Sequence, residues 1–331
     1  MRKKLPLIIL TGHRKSGTSL FHRLFDGLDG INLYPTDLSM LYAYFPCFTG
    51  RKDITDAELR ARLLHVLDQS ISYICKQNSS VVKNKKKLLN LVETEIKNIN
   101  LREKADVISA ISIAWFHYKG LTDKTIPFVF KETSQAVFFS EYKEKFPRLK
   151  MVSLVRDPRD NYAAIDAGIE DYYSKFGEHS IDALSSLINR ARMDLIAAKV
   201  NQEKFPESFL AIRFEDLVTD PRETMMKVSS FLGIEFNETM LIPEVNGIGY
   251  KGNNFEGKVF SGISNRSVGA WKTRIPEASA KTIEYWMADV MEYWGYECEF
   301  ELLDRQAEFS RFYELYNCKY FYHDAFQVEG S

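Results

Sequence analysis

Leu7-Ile8-Ile9-Leu10-Thr11-Gly12-His13-Arg14-Lys15-Ser16-Gly17-Thr18-Ser19-Leu20-Phe21 is the stretch that decides the fold class. Its first four residues form a continuous apolar run, the pattern of a strand covered on both faces. Thr11 to Gly17 is a polar, glycine-containing turn, after which Leu20, Phe21, Leu24, Phe25 and Leu28 recur at helical spacing. Strand, polar loop and helix open an α/β unit. A loop so placed gathers free backbone N–H groups at the positive end of a helix dipole, which favours an anion.

The same grammar recurs along the chain. Ile31-Asn32-Leu33-Tyr34 reads as a second strand ended by Pro35, and further strand signals lie at Phe128-Val129-Phe130, Met151–Val155 and Phe209–Ile212, each followed by a helical segment. Strands alternating with helices predict a mostly parallel central sheet flanked by helices. Between Ile54 and Lys119 the periodicity is helical, with one stripe from Leu59 to Ile74 and another from Val107 to Tyr118. The run Lys83 to Lys87 between them reads as a solvated face or loop. A helix is expected from Pro276 to about Trp294. No repeat or linker appears. The expectation is one domain over residues 1–331, with a helical insertion at about 50–126 and an aromatic-rich tail at about 300–331. That tail (Phe309, Phe312, Tyr313, Tyr316, Tyr320, Phe321, Tyr322) either packs on the domain or makes a homodimer contact.

Composition excludes several classes. The chain has 331 residues with 44 basic and 45 acidic side chains, a net charge of −1. Nothing global points to nucleic acid or an anionic membrane, so an anion must be held by a local cluster. Cys47, Cys75, Cys298 and Cys318 include no CxxC pair, which suits a reducing, cytoplasmic setting. The basic Met1–Lys4 lead-in is followed by an apolar run too short for a signal peptide, and no stretch approaches a membrane span.

The loop differs from the nucleotide P-loop GxxxxGK[ST] in an informative way. Gly12, Gly17 and Ser19 fit, but Thr18 stands at the lysine position and the lysine sits inside the loop at Lys15. A P-loop kinase needs the displaced lysine, and usually a later Asp for Mg²⁺. This loop suits a nucleotide with a single 5′-phosphate that carries a leaving group.

Arg14-Lys15-Ser16-Gly17-Thr18-Ser19-Leu20 resembles the 5′-phosphosulfate loop of the sulfotransferases that use 3′-phosphoadenosine 5′-phosphosulfate (PAPS). Three further segments resemble the family in order. Met151 to Val155, leading into Arg156-Asp157-Pro158-Arg159-Asp160, is similar to its 3′-phosphate motif. Ala164 stands where the family usually has a second 3′-phosphate ligand, a serine, so another donor such as Arg266 or Arg159 is expected to replace it. Arg213-Phe214-Glu215-Asp216-Leu217 with Asp220-Pro221 and Phe231 to Ile234 resembles a segment whose leading aromatic lies near the adenine. Glu215 and Asp216 read there as structural capping groups. Tyr250 to Phe255, followed by Arg266 to Lys272, resembles the loop that folds over the nucleotide, with Trp271 as a packing anchor. The insertion falls outside every such motif.

The resemblance implies a sulfotransferase of P-loop-like architecture that moves a sulfuryl group from PAPS to a hydroxyl or amine, on a small-molecule or glycan acceptor. Arg14, Lys15, Ser16, Gly17, Thr18, Ser19, Arg156, Phe214, Arg266 and Lys272 are the expected nucleotide-binding residues. Lys15 is the expected stabiliser of the leaving oxygen, and Lys131 is placed near the sulfonate. The proton acceptor is Asp37 or Glu132. Asp37 reads alternatively as the N-cap of a helix beginning near Leu38. His13, His65 and His117 read as structural or exposed. No HExxH, CxxC or carboxylate pair at metal-ligand spacing occurs, so no metal is expected. A P-loop kinase and a non-catalytic nucleotide-binding protein on the same fold are the alternatives.

Overall fold

The computed structural model describes residues 5–44, 54–123, 125–177, 179–255, 257 and 259–317. Strands β1 (Leu7–Gly12), β2 (Asn32–Asp37), β3 (Phe128–Lys131), β4 (Leu149–Val155) and β5 (Phe209–Arg213) form one sheet in the order β2-β3-β1-β4-β5. Every pair is parallel. The fold class read from the alternation of strands and helices is therefore the one observed.

Both faces of β1 are covered, as its unbroken apolar run requires. Leu7 and Ile9 join a core that includes Leu59, Ile111, Phe139 and Met287. Ile8 and Leu10 join the opposite core with Phe21, Leu217 and Val228. The first layer is built by α3 (Asp56–Gln77), α4 (Lys85–Ile96), α5 (Lys104–Lys119), α6 (Phe139–Lys145), α9 (Arg192–Lys204) and α13 (Glu277–Tyr293), and the second by α1 (Thr18–Arg23), α10 (Phe214–Thr219) and α11 (Pro221–Leu232). The 50–126 segment thus packs on the core through α3, α4 and α5. Lys83, Lys86 and Lys87 are exposed, and Asn84 caps α4 by accepting from Lys87 N–H at 2.9 Å.

Two local readings are corrected. Pro35 does not end the second strand, because β2 is an edge strand and carries the missing donor as a register shift between Leu33 and Asp37. The strand consequently runs on to Asp37, which pairs in register with Lys131. The helix after the phosphate loop stops at Arg23, where Leu24 takes the C-cap, although Leu24 and Phe25 stay buried. In the tail, α14 (Leu302–Asn317) lies on α13, with Phe309 stacked on Trp286 at 5.2 Å. Tyr320, Phe321 and Tyr322 lie outside the described residues.

The chain leaves β1 toward β2 on one side, and leaves β4 toward β5 on the other. Between the C-terminal ends of β1 and β4 it therefore opens the crevice in which parallel sheets bind ligands.

Candidate functional site

The loop from Gly12 to Gly17 lies in that crevice, and several of its carbonyls have hydrogen-bond partners. His13 C=O accepts from Ser16 N–H at 3.1 Å and from Ser16 Oγ at 2.7 Å. Arg14 C=O accepts from Asn161 Nδ2 at 2.7 Å, and Lys15 C=O accepts from Arg156 Nη1 at 2.8 Å. With these acceptors engaged, the loop N–H groups other than that of Ser16 and the helix N-terminus can serve an anion. Two backbone positions require glycine. Gly17, with φ 96°, would drive a Cβ to 2.4 Å from the Phe214 ring. Gly12, with φ 149°, would drive one to 2.4 Å from the Leu154 carbonyl. Lys15 itself has φ 63°, a strained backbone for a residue with a side chain.

Cations gather here. Burial, then Lys131, Arg156 and Arg14, push the Lys15 ammonium down to about 8. Its Nζ donates to Asn253 C=O at 3.0 Å and lies 3.6 Å from the Phe255 ring centre. Asn253 Nδ2 in turn donates to Ser19 Oγ at 3.2 Å, so the 250–255 segment rests across the loop. Ser16 and Thr18 are buried within the loop itself. Arg14 lies over the Tyr173 ring. Arg156 is 7% exposed, donates also to Ser267 C=O at 3.2 Å, and lies over Phe214. Phe214, 5% exposed, floors the loop against Gly17 and Arg156.

The other wall is acidic. Lys131 Nζ, on a side chain 3% exposed, donates to Asp37 Oδ2 at 2.7 Å, while the Asp37 side chain is 42% exposed. Asp37 caps no helix. It ends β2, and the next helix, α2 (Leu41–Tyr44), begins four residues later. Glu132 N–H donates to Leu10 C=O at 3.1 Å, which places the Glu132 turn alongside the phosphate loop. The Glu132 side chain is buried, with Oε1 accepting from Thr133 N–H at 3.0 Å and Oε2 without a hydrogen-bond partner among the described residues. Burial first, and the Asp37 carboxylate next, push its carboxyl up to about 8, against the pull of Lys131.

Other residues named from the sequence have the following surroundings. Arg159 is not free to replace the serine absent at Ala164, because it forks onto Asp157 at 3.0 and 2.7 Å and reaches Glu284 at 2.5 Å, all buried. Lys272 Nζ pairs with Glu299 at 2.5 Å. Arg266 is exposed beyond Ser264. Trp271 is the anchor: it is 4% exposed against Ala163 and Ala280, and its N–H donates to Asp160 at 2.8 Å. Glu215 is structural, accepting from Asp157 N–H at 3.0 Å and from Tyr296 Oη at 2.8 Å. His65 and His117 are exposed. Sequence reading missed Asn161 and Asp194, which carry no local signal and act through residues remote in the chain.

The sequence profile of the sulfotransferase family matches residues 6–238. The chain belongs to the sulfotransferase family. The match takes in the phosphate loop, Asp37, Glu132 and Arg156. It also covers the insertion, for which no motif was legible in the sequence. Among solved structures, this sulfotransferase is similar to the sulfotransferase domain from the curacin biosynthetic pathway, at 16% identity and TM-score 0.57, with 89% of this chain and 99% of that one covered. It is also similar to the sulfotransferase domain from the Synechococcus PCC 7002 olefin synthase, at 16% identity and TM-score 0.54, covering 90% and 97%. At such identity the likeness is one of fold. Among the described residues, no helix is long and apolar enough to cross a membrane.

Proposed function

We propose that this sulfotransferase moves a sulfuryl group from PAPS to an acceptor hydroxyl and releases adenosine 3′,5′-bisphosphate. One observation carries the reading: a lysine inside an anion-binding loop stands beside the Lys131–Asp37 pair, so that leaving-group stabiliser and proton acceptor share a single crevice. The loop N–H groups with Arg14, Ser16, Thr18 and Ser19 hold the 5′-phosphate, and Gly17 admits it closely. Arg156 holds the 3′-phosphate from the end of β4. Phe214 supports the loop from below and offers its ring to the adenine.

Asp37 accepts the acceptor's proton as its oxygen bonds to sulfur. The bond from sulfur to the bridging oxygen breaks, and its electron pair stays on the 5′-phosphate, where Lys15 meets the growing charge. Protonation of Asp37 removes the counter-charge of Lys131, whose ammonium then faces the sulfuryl oxygens. Glu132 stands behind the pair as a buried acid. Tyr42 and Tyr172, 54% and 47% exposed, lie at this mouth and suit a small-molecule or glycan acceptor. The family match and the position of Lys15 both favour this reading over a P-loop kinase.

Adenosine 3′,5′-bisphosphate is expected to stabilise the protein in a thermal melt by about 2.7 kcal/mol at 100 times its Kd, with no effect from ATP and Mg²⁺. Stabilisation by ATP and Mg²⁺ alone would return the kinase reading, and binding without transfer of labelled sulfuryl from PAPS would return the non-catalytic one.

Arg156→Ala tests the nucleotide contacts more finely. Charge-assisted hydrogen bonds contribute about 1.5–3 kcal/mol, so affinity for adenosine 3′,5′-bisphosphate should fall about ten- to hundredfold. Adenosine 5′-monophosphate should lose less, through the unsupported Lys15 carbonyl alone. Equal losses in calorimetry would make Arg156 a loop support and nothing more.

A further inference from the structure

Asp194 lies on α9, just after the π-helical turn Leu187–Ala191, and is 5% exposed. Its Oδ2 accepts two hydrogen bonds from different parts of the site. One comes from His13 Nδ1 at 2.8 Å, inside the phosphate loop. The other comes from Ser134 Oγ at 2.7 Å, two residues after Glu132. The two segments already touch, since Ser134 N–H donates to Gly12 C=O at 3.0 Å and Gln135 N–H to Thr11 Oγ1 at 2.9 Å. Both segments hold strained backbone at this contact, with φ 63° at Lys15 and φ 56° at Ser134. Such conformations persist only where surrounding contacts over-determine them. A second tie from the same helix, Asn201 Nδ2 to Ala136 C=O at 2.8 Å, keeps α9 against the turn.

We propose that Asp194 is a positioning residue that holds the phosphate loop and the Glu132 turn in register with each other, so that Lys15 and the carboxyl pair face one reaction centre. The inference rests on the sulfuryl-transfer reading above. Asp194 touches no reacting atom. It acts through His13 on the loop that carries Lys15, and through Ser134 on the turn that carries Lys131 and Glu132. One carboxylate oxygen anchors both arms, so its loss releases both segments at once, whereas loss of one donor releases one.

The two arms are separable by substitution. His13→Ala cuts the loop arm and should weaken adenosine 3′,5′-bisphosphate about tenfold, the scale of one charge-assisted hydrogen bond, and lower kcat as well, because the loop carries Lys15. Ser134→Ala cuts the turn arm and should leave that affinity unaltered while lowering kcat about tenfold. Asp194→Ala should show both losses, and Asp194→Asn, whose amide oxygen still accepts both bonds, should recover most of each. Amide hydrogen exchange gives a readout that needs no ligand. Asp194→Ala should speed exchange across 12–17 and 132–135 together, and Ser134→Ala only across the second segment. If Asp194→Ala does not fold, the two single-arm variants decide. An affinity loss in Ser134→Ala as large as that in His13→Ala, or unchanged exchange in either segment of Asp194→Ala, would overturn the proposal. A wild-type protein that binds no adenosine 3′,5′-bisphosphate but shows the expected exchange pattern would instead sink the functional reading and leave the structural coupling standing.

Discussion

Asp37→Asn is expected to lower turnover by about 10²–10⁴ and to leave the affinity for adenosine 3′,5′-bisphosphate unchanged. The expectation follows from reach and charge. Asp37 is the carboxylate that an acceptor can meet, since its side chain is 42% exposed whereas Glu132 is buried. The amide of asparagine still accepts from Lys131, so the ion-pair geometry survives as a hydrogen bond while the base is lost. Glu132→Gln is the companion variant. With its carboxyl pushed up to about 8, Glu132 is mainly protonated at pH 7, and glutamine mimics that neutral form. Activity at pH 7 should therefore largely persist. Stability should change with a definite sign. A carboxyl raised from 4.5 to about 8 on folding contributes stability that is fully present below 4.5 and is lost as pH rises to about 8. The variant escapes that loss, so its melting temperature should match the wild type near pH 4.5 and exceed it increasingly up to about pH 8. A collapse of turnover in Glu132→Gln alone would transfer the role of base to Glu132.

Lys15→Ala removes the charge proposed to meet the leaving oxygen, and a preorganised stabiliser of this kind contributes about 10²–10³ in rate, so transfer should fall by that factor. The fold should survive, because the Lys15 side chain contacts Asn253 and Phe255 at the surface of the crevice and belongs to neither core. The variant should also loosen the 250–255 segment, which loses its hydrogen bond and its cation over the ring. Single-turnover transfer of labelled sulfuryl separates chemistry from release of the product nucleotide. Near-normal transfer in that assay would remove Lys15 from the mechanism.

What could be read from the chain alone follows from locality. The apolar run Leu7 to Leu10, the glycines at 12 and 17 and the lysine at 15 lie within a dozen residues, and their roles depend on backbone conformation close by. Asp37 was legible as a candidate because a strand end beside the loop is a sequence-local position, even though Pro35 suggested that the strand stopped short. Long-range pairings have the opposite character. Arg159 looks free in sequence, yet it is bonded to Glu284, 125 residues on, while Lys272 pairs with Glu299 in an exposed contact. Asp194 shows no signal in its helix, because its partners His13 and Ser134 lie 181 and 60 residues away.

The sequence by itself determined the parallel α/β fold and the place of the glycine-containing loop between β1 and α1, since periodicity and turn chemistry are properties of neighbouring residues. Only the tertiary structure decided which charges remain available to a ligand, which are bound to one another, and that Glu132 sits buried behind Asp37. Burial and ion pairing are set by chain segments that meet only when the sheet and its helices have packed.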